Sequence, residues 1–134
     1  MKVAFGCDHA AIDLKNELLN YLTEKGFECV DYGAQDPNVK VDYPISGLKV
    51  AEAIVSGEVD KGVLICGTGI GISITANKVK GIRAALCTDC FMAEATRLHN
   101  DANILAMGGR VVGPGLAIKM VDTFLDTPFS NEER

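Results

Sequence analysis

Short apolar runs typical of β-strands alternate five times along this chain with stretches typical of amphipathic helices. The strand-like runs are KVAFG (2–6), FECVDY (27–32), GVLIC (62–66), IRAALC (82–87) and ANILAMG (102–108). After each run, apolar residues recur at three- and four-residue spacing, the period of a helix with one buried face. Strands that alternate with helices form a parallel sheet covered on both faces. The pattern predicts one three-layer α/β/α domain spanning residues 1–134.

Recurring apolar residues also place the five helices. They are Ala11, Leu14, Leu18 and Leu22; Leu48, Ala51, Ile54 and Val55; Ile72, Ala76 and Val79; Phe91, Ala95 and Leu98; and Leu116, Met120, Val121 and Phe124. Right-handed crossovers between five such units favour the strand order 2-1-3-4-5. In that order the helices after strands one and three leave to opposite faces, and ligands bind beyond the carboxyl ends of those strands. The loops at 7–9 and 66–71 are therefore expected to line a binding crevice.

Composition limits the partners that this chain is expected to have. The net charge is −5, and no run of Lys or Arg stands out. These features argue against nucleic acid and anionic membranes as partners. The first residues lack the apolar stretch of a signal peptide, and no run is long enough to span a membrane. A cytoplasmic location is expected.

The number and spacing of the cysteines favour free thiols. The five are Cys7, Cys29, Cys66, Cys87 and Cys90. An odd number in a reducing compartment argues against a disulfide framework. Cys87 and Cys90 form a C-x-x-C pair, which fits a redox pair, half of a zinc site, or two packing residues. No second ligand pair accompanies them, so no metal site is predicted.

The segment ICGTGIGISI (65–74) joins the third strand to the third helix through three glycines at alternate positions. Amide groups at a helix N-terminus bind anions, and glycine lets a ligand approach the backbone closely. The spacing G-x-G-x-G matches neither the dinucleotide pattern nor a P-loop. The segment predicts an anion hole. Glycines that are needed only for a tight turn would show the same sequence pattern.

Cys66 lies where this strand ends and the anion hole begins. A thiol beside a helix N-terminus is favoured as the thiolate and can act as a nucleophile or general base. A small buried core residue is the structural alternative. Asp8 and His9 are expected to face Cys66 across the crevice, and Asp8 could also cap the first helix.

Three further polar residues are candidates for the site. His99 and Asn100 lie in RLHNDAN, where His99 could instead interact with a helix C-terminus. Arg110, in GGRVVG, is a candidate phosphate clamp. A thiol base, an anion hole, a carboxylate, a histidine and an arginine suit proton abstraction next to a carbonyl, with the enediolate held by amides. A sugar phosphate is a natural substrate for such a set.

Several motifs together resemble one known family. They are GCDHAA, DYP, ICGTGIGISITANKVKGIRAALC, HNDANILAMGGRVVG and TPFSNEER. This combination resembles the ribose-5-phosphate isomerase B family, which includes the galactose-6-phosphate isomerase subunits. The resemblance implies a Rossmann-like homodimer or tetramer of carbohydrate metabolism, for example of the pentose phosphate pathway. The implied reaction is the interconversion of ribose 5-phosphate and ribulose 5-phosphate through a cis-enediolate, with no cofactor.

The resemblance also implies a role for each site residue. It makes Cys66 the base that moves a proton between C2 and C1, because this loop has no acidic residue such as the glutamate of some members. It assigns the enediolate-binding amides to Gly67, Gly69, Ile70 and Gly71, with help from Thr68. It assigns ring opening to His99 with Asp8 as its helper, substrate contacts to His9, Tyr43 and Asn100, and phosphate binding to Arg110 and Arg134.

Other readings of the sequence remain open. The substrate could be a hexose 6-phosphate, allose or galactose 6-phosphate. A non-catalytic module that binds a sugar phosphate or nucleotide would share the fold, and a redox protein would use Cys87 and Cys90. Family chains usually continue beyond Arg134, which implies a short or truncated tail here.

The predicted topology places His99 at the sheet edge opposite Cys66. A shared site is therefore expected, in which a partner subunit supplies His99, Asn100 and Arg134.

Overall fold

Five parallel strands and five helices alternate along the chain, as the sequence predicts. The computed structural model describes residues 1–131, so Arg134 lies outside the described part. The elements are β1 (Lys2–Cys7), α1 (Ile12–Glu24), β2 (Glu28–Asp31), α2 (Tyr43–Val55), β3 (Lys61–Cys66), α3 (Ile70–Asn77), β4 (Ala84–Leu86), α4 (Cys90–Asn100), β5 (Ile104–Gly108) and α5 (Pro114–Asp126). The three-layer parallel α/β architecture is confirmed.

The predicted order of the outer strands is wrong. The sheet runs β2-β1-β3-β5-β4, so β5 lies between β3 and β4. All five residues of β5 are buried, whereas the three residues of β4 are only half-buried. A fully apolar strand belongs inside a parallel sheet, and a short, partly exposed strand suits an edge. This order pairs Cys66 with Gly108 and brings the loop after β5 beside the glycine loop.

Alternation along the strands divides the core into two layers. On β3, Val63 and Ile65 face the layer that contains α1 and α5, and Leu64 and Cys66 face the layer that contains α2 and α3. Successive side chains of a strand point to opposite faces, so the thiol of Cys66 belongs to the α2/α3 side.

The buried face of α4 differs from the predicted apolar stripe. The helix buries Ala93, Thr96 and Arg97, whereas Phe91 is 79% exposed. Asp89 caps the helix by accepting a hydrogen bond from Met92 N at 2.8 Å, and the packing of α4 against the rest of the fold turns Phe91 outward. Large apolar side chains are also exposed on α2 and α3, among them Leu48, Ile70 and Ile74.

Within residues 1–131, no helix has the length and apolar character needed to cross a membrane.

Candidate active site

The loops after β1 and β3 lie side by side at the carboxyl edge of the sheet. Cys7 pairs with Ile65, and Asp8 N donates to Ile65 O at 3.3 Å. The Asp8 carboxylate accepts a hydrogen bond from Ala10 N at 3.1 Å, just before α1 begins. Asp8 therefore orders the approach to the helix, although the N-cap position itself belongs to Ala11. The two loops are therefore neighbours, as the sequence predicts; a binding crevice between them stays a prediction.

Cys66 ends β3 with its sulfur against the start of α3. The residue is 4% exposed, and its Sγ accepts a hydrogen bond from Gly69 N at 3.2 Å. Gly69 is the N-cap residue of α3, so the sulfur lies at the positive end of the helix dipole. An amide donor in this position stabilises the negative charge of a thiolate once the proton has left. Cys66 therefore lies where the sequence predicts the base, at the start of a helix, and it also packs in the buried cluster on the α2/α3 side.

Gly69 is required by both conformation and space. Its φ is +82°, and a Cβ here would lie 2.6 Å from Leu86 Cδ1 and 2.7 Å from the carbonyl carbon of Met107. The glycine loop is thus packed tightly onto β5, as the tight-turn alternative supposes. The same packing fixes the amide that contacts Cys66, so the two interpretations are compatible. The Thr68 hydroxyl accepts a hydrogen bond from Ile70 N at 3.2 Å.

Tyr43 lies directly against the glycine loop. A Cβ on Gly71 would come within 2.6 Å of Tyr43 Cζ, so the ring covers the backbone of Gly71. Tyr43 is the first residue of α2, and Pro44 follows it, in the first turn where a proline costs no hydrogen bond. The predicted substrate-contact residue Tyr43 therefore lies beside the start of α3.

Arg110 and His9 bring potential positive charge to the same edge. Arg110 N donates to Gly67 O at 3.1 Å, and the Arg110 side chain lies against Gly67. His9 Nδ1 lies 3.3 Å from Val41 O. Because a carbonyl oxygen only accepts, Nδ1 carries the proton and Nε2 is left to contact a ligand. An exposed guanidinium suits a phosphate group, and the Nε2 of His9 is oriented to contact a substrate hydroxyl.

His99 and Asn100 lie at the opposite edge. They end α4 next to Arg83, whose Nη1 donates to Asn100 O at 3.0 Å. Arg83 O accepts from Asn103 N at the amino end of β5. Cys66 lies four residues beyond the Gly62–Ile104 pair at this end, which is about 13 Å of strand. One chain does not bring His99 to Cys66.

Sequence reasoning missed two buried polar residues. Ser46 is fully buried; its Oγ accepts from Cys7 N at 2.9 Å and donates to Tyr32 O at 3.1 Å. Lys15 is fully buried and pairs with Asp31 at 2.5 Å. Lys15 follows Ala11 by four residues, so the helical spacing already placed it on the buried face of α1.

All five cysteines are free. Burial raises the pKa of both Cys7 and Cys87 to about 11. Both thiols therefore stay protonated at neutral pH, which makes Cys87 a poor redox nucleophile.

Within the described residues, no group of three His, Cys, Asp or Glu side chains could hold a metal ion. The cofactor-free reaction remains a prediction.

We expect the two buried thiols to make the protein less stable in alkali. Their unfolded-state pKa is 9.0. Between pH 9 and 11 the unfolded chain loses these protons while the native protein keeps them, so the free energy of unfolding falls as pH rises, by about 2–3 kcal/mol for each thiol. Urea unfolding at several pH values checks this. The variant Cys7→Ala/Cys87→Ala should lose less stability over the same interval, and an equal loss in both proteins would contradict the prediction.

Comparison with known proteins identifies the family. A family model described as ribose/galactose isomerase matches residues 3–134. The chain belongs to the ribose/galactose isomerase family. Ribose-5-phosphate isomerase B of Escherichia coli K12 is 49% identical over 128 residues, 96% of this chain and 85% of that protein. Galactose-6-phosphate isomerase subunit LacB of Clostridium acetobutylicum is 46% identical over 129 residues, 96% of this chain and 74% of that protein.

A solved structure of ribose-5-phosphate isomerase B from Clostridium thermocellum superposes with a TM-score of 0.96 at 55% identity, covering 98% of this chain and 88% of that one. Membership in the ribose/galactose isomerase family makes this chain an aldose–ketose isomerase of sugar phosphates. The named relatives differ in their sugar, so the preferred substrate is a separate question.

Proposed function

We propose that this protein interconverts D-ribose 5-phosphate and D-ribulose 5-phosphate with Cys66 as the catalytic base. The observation that carries the proposal is the position of the Cys66 sulfur, 3.2 Å from Gly69 N at the start of α3. Arg110 lies against the same loop and supplies a contact for the phosphate, and His9 supplies a substrate contact at the same edge. A base, an amide-lined anion hole and a phosphate site are what an enediolate route requires.

The reaction moves one proton from C2 to C1 and one from O2 to O1, with no net change in oxidation state. The Cys66 thiolate takes the C2 proton of the open-chain aldose, and the C2–H electron pair forms the C1–C2 double bond while O1 gains negative charge. Amides of the glycine loop stabilise the developing enediolate charge. A proton passes from the O2 hydroxyl to O1, and the electron pair of the C1–C2 double bond then takes the proton back from the Cys66 thiol at C1 as O2 becomes the ketone oxygen. Thr68 hydrogen-bonds within this loop and helps to hold its shape.

Ribose 5-phosphate closes into a furanose, so the ring must open before C2 is acidic. His99 is the proposed donor to the ring oxygen. Because His99 and Cys66 lie at opposite edges of one chain, the site requires a second subunit. In this arrangement the partner contributes His99, Asn100 and Arg134. The exposed apolar side chains of α2, α3 and α4 are suited to such contact. Asp8 lies at the Cys66 edge, from where it would assist the partner's His99.

The test of function is the initial rate of ketose formation from ribose 5-phosphate, allose 6-phosphate and galactose 6-phosphate in parallel, with EDTA present. The proposal expects ribose 5-phosphate to give the highest kcat/KM, with no loss in EDTA. A higher value for either hexose would reassign the substrate. Ligand binding without turnover of any of the three would support a binding module instead.

Mixed subunits test whether the site is shared. Cys66→Ser and His99→Asn chains carrying different tags are co-expressed, and the doubly tagged heterodimer is isolated. One of its two sites then has both residues intact, so we expect about half of the wild-type rate per dimer, since independent sites add. Each homodimeric variant is the control. A heterodimer no more active than these controls would place Cys66 and His99 in the same chain.

A further inference from the structure

We infer that Arg97 is a positioning residue that holds His99 in place for ring opening; this inference rests on the proposed function of His99. Arg97 lies two residues before His99 on α4. It does not belong to the crevice, and nothing in its sequence position suggests a role in the reaction. Its contacts fix the end of α4 from the buried side.

The guanidinium of Arg97 is buried and hydrogen-bonds to three residues in two segments of the chain. Arg97 is 6% exposed. Its Nη1 donates to Asp101 Oδ1 at 2.9 Å and to Ala102 O at 2.7 Å, and its Nε donates to Thr127 O at 3.0 Å. The ring of Phe124 lies 5.8 Å from Arg97 Cζ. A planar cation with donors in several directions suits this position, whereas the point charge of lysine does not.

The bonds from Arg97 hold an unusual backbone turn directly after His99. Asp101 ends α4 with a φ of +49°, in the left-handed region that few residues other than glycine adopt. Arg97 binds the side chain of this residue and the carbonyl of the next. Loss of the guanidinium would leave buried carbonyl oxygens without a donor and would free the turn.

A second pair of hydrogen bonds fixes the backbone just before His99, at Leu98. Ser130 donates to Leu98 O through its amide at 3.3 Å and through its hydroxyl at 2.8 Å. Arg97 and Leu98, the two residues before His99, are therefore both tied to residues 127–130. His99 is exposed, so its position depends on this backbone rather than on packing of its side chain. Displacement of a catalytic group by about 1 Å can cost about 100-fold in rate.

The experiment compares Arg97→Met and Arg97→Lys with Met120→Ala. Methionine keeps the apolar contact with Phe124 but donates no hydrogen bond, and lysine keeps the charge without the planar fork. Met120 is buried in the core on α5, so Met120→Ala is a control for general loss of stability. The readouts are the NMR resonance of the His99 ring, amide exchange of residues 98–101 in the ligand-free protein, and kcat/KM for ribose 5-phosphate.

For Arg97→Met we expect a shifted His99 resonance, faster exchange in the turn, and a kcat/KM lower by about 100-fold. Arg97→Lys should lie between this variant and the wild type, and Met120→Ala should lower the melting temperature without moving the His99 resonance. An unmoved His99 resonance in Arg97→Met, or equal shifts in Arg97→Met and Met120→Ala, would overturn the inference. If the wild type does not turn over ribose 5-phosphate, the proposed function fails, and the ligand-free resonance alone decides the role of Arg97.

Discussion

Cys66→Ser should lower kcat/KM for ribose 5-phosphate by about 10²–10⁴-fold, the range that a positioned general base contributes. Serine is close to cysteine in size, so the strand end and the glycine loop should keep their shape. Its hydroxyl is a far weaker acid than a thiol, so the anion needed to take the C2 proton is lost. Steady-state rates on the purified variant measure the effect, and urea unfolding verifies that stability is retained.

Cys29→Ser is the matched control for this prediction. Cys29 is a partly buried free thiol on β2, at the far side of the sheet from β5. Its replacement should leave kcat/KM close to the wild-type value. Equal losses in the two variants, or full activity in Cys66→Ser, would show that the Cys66 thiol is not the base.

Gly69→Ala should remove both activity and stability. The positive φ and the contacts with Leu86 and Met107 exclude a Cβ, and two of those contacts are with backbone that cannot rotate away. Left-handed strain and overpacking together should lower the free energy of unfolding by about 2–5 kcal/mol. The loop must shift to relieve the clash, which moves Gly69 N from the sulfur of Cys66. We expect kcat/KM to fall by about 100-fold or more in the folded fraction.

Gly115→Ala serves as the control. Nothing lies within 4 Å of the Cβ that it would add, and Gly115 lies in the first turn of α5 with no positive φ. Removing a glycine from such a helical site should raise the free energy of unfolding by about 0.5–1 kcal/mol with no change in activity. If Gly69→Ala behaved in the same way, the tight fit of the glycine loop onto β5 would not be needed for the site.

The layers of the fold and the meeting of the loops after β1 and β3 at one edge followed from local pattern. Strand and helix periods can be read in windows of a few residues, and parallel strands carry their following loops to one edge. Cys66 and Asp8 were therefore placed together correctly. His99 was placed at the opposite edge because a crossover helix runs antiparallel to its strands.

The order of the outer strands depended on comparison between segments far apart in sequence. The right-handed crossover rule permits either β4 or β5 as the neighbour of β3. Burial decides between them, because Ile104–Gly108 is fully buried and Ala84–Leu86 is not. The prediction followed the strand order that is usual for five such units, and it was wrong. The apolar sequence of β5 already indicated a buried strand.

Buried polar residues that bind backbone groups were also not predicted from the sequence. Arg97 reads as an ordinary helix charge paired with Asp101 four residues later, because its other partners, the carbonyls of Ala102 and Thr127, carry no side-chain signature. Ser46 was missed for the same reason, since it binds the amide of Cys7 and the carbonyl of Tyr32. The partners of such residues are backbone groups, and the positions of these groups are known only once the chain has folded.

The most direct test of the central claim follows deuterium at C2 of the substrate. Ribose 5-phosphate deuterated at C2 is incubated in light water with the wild type and with Cys66→Ser, and loss of the label from C2 is followed by NMR as ketose forms. If Cys66 removes the C2 proton, the wild type loses the label during turnover and Cys66→Ser retains it. Loss of the label at the same rate from both proteins would assign the base to another residue and contradict the account.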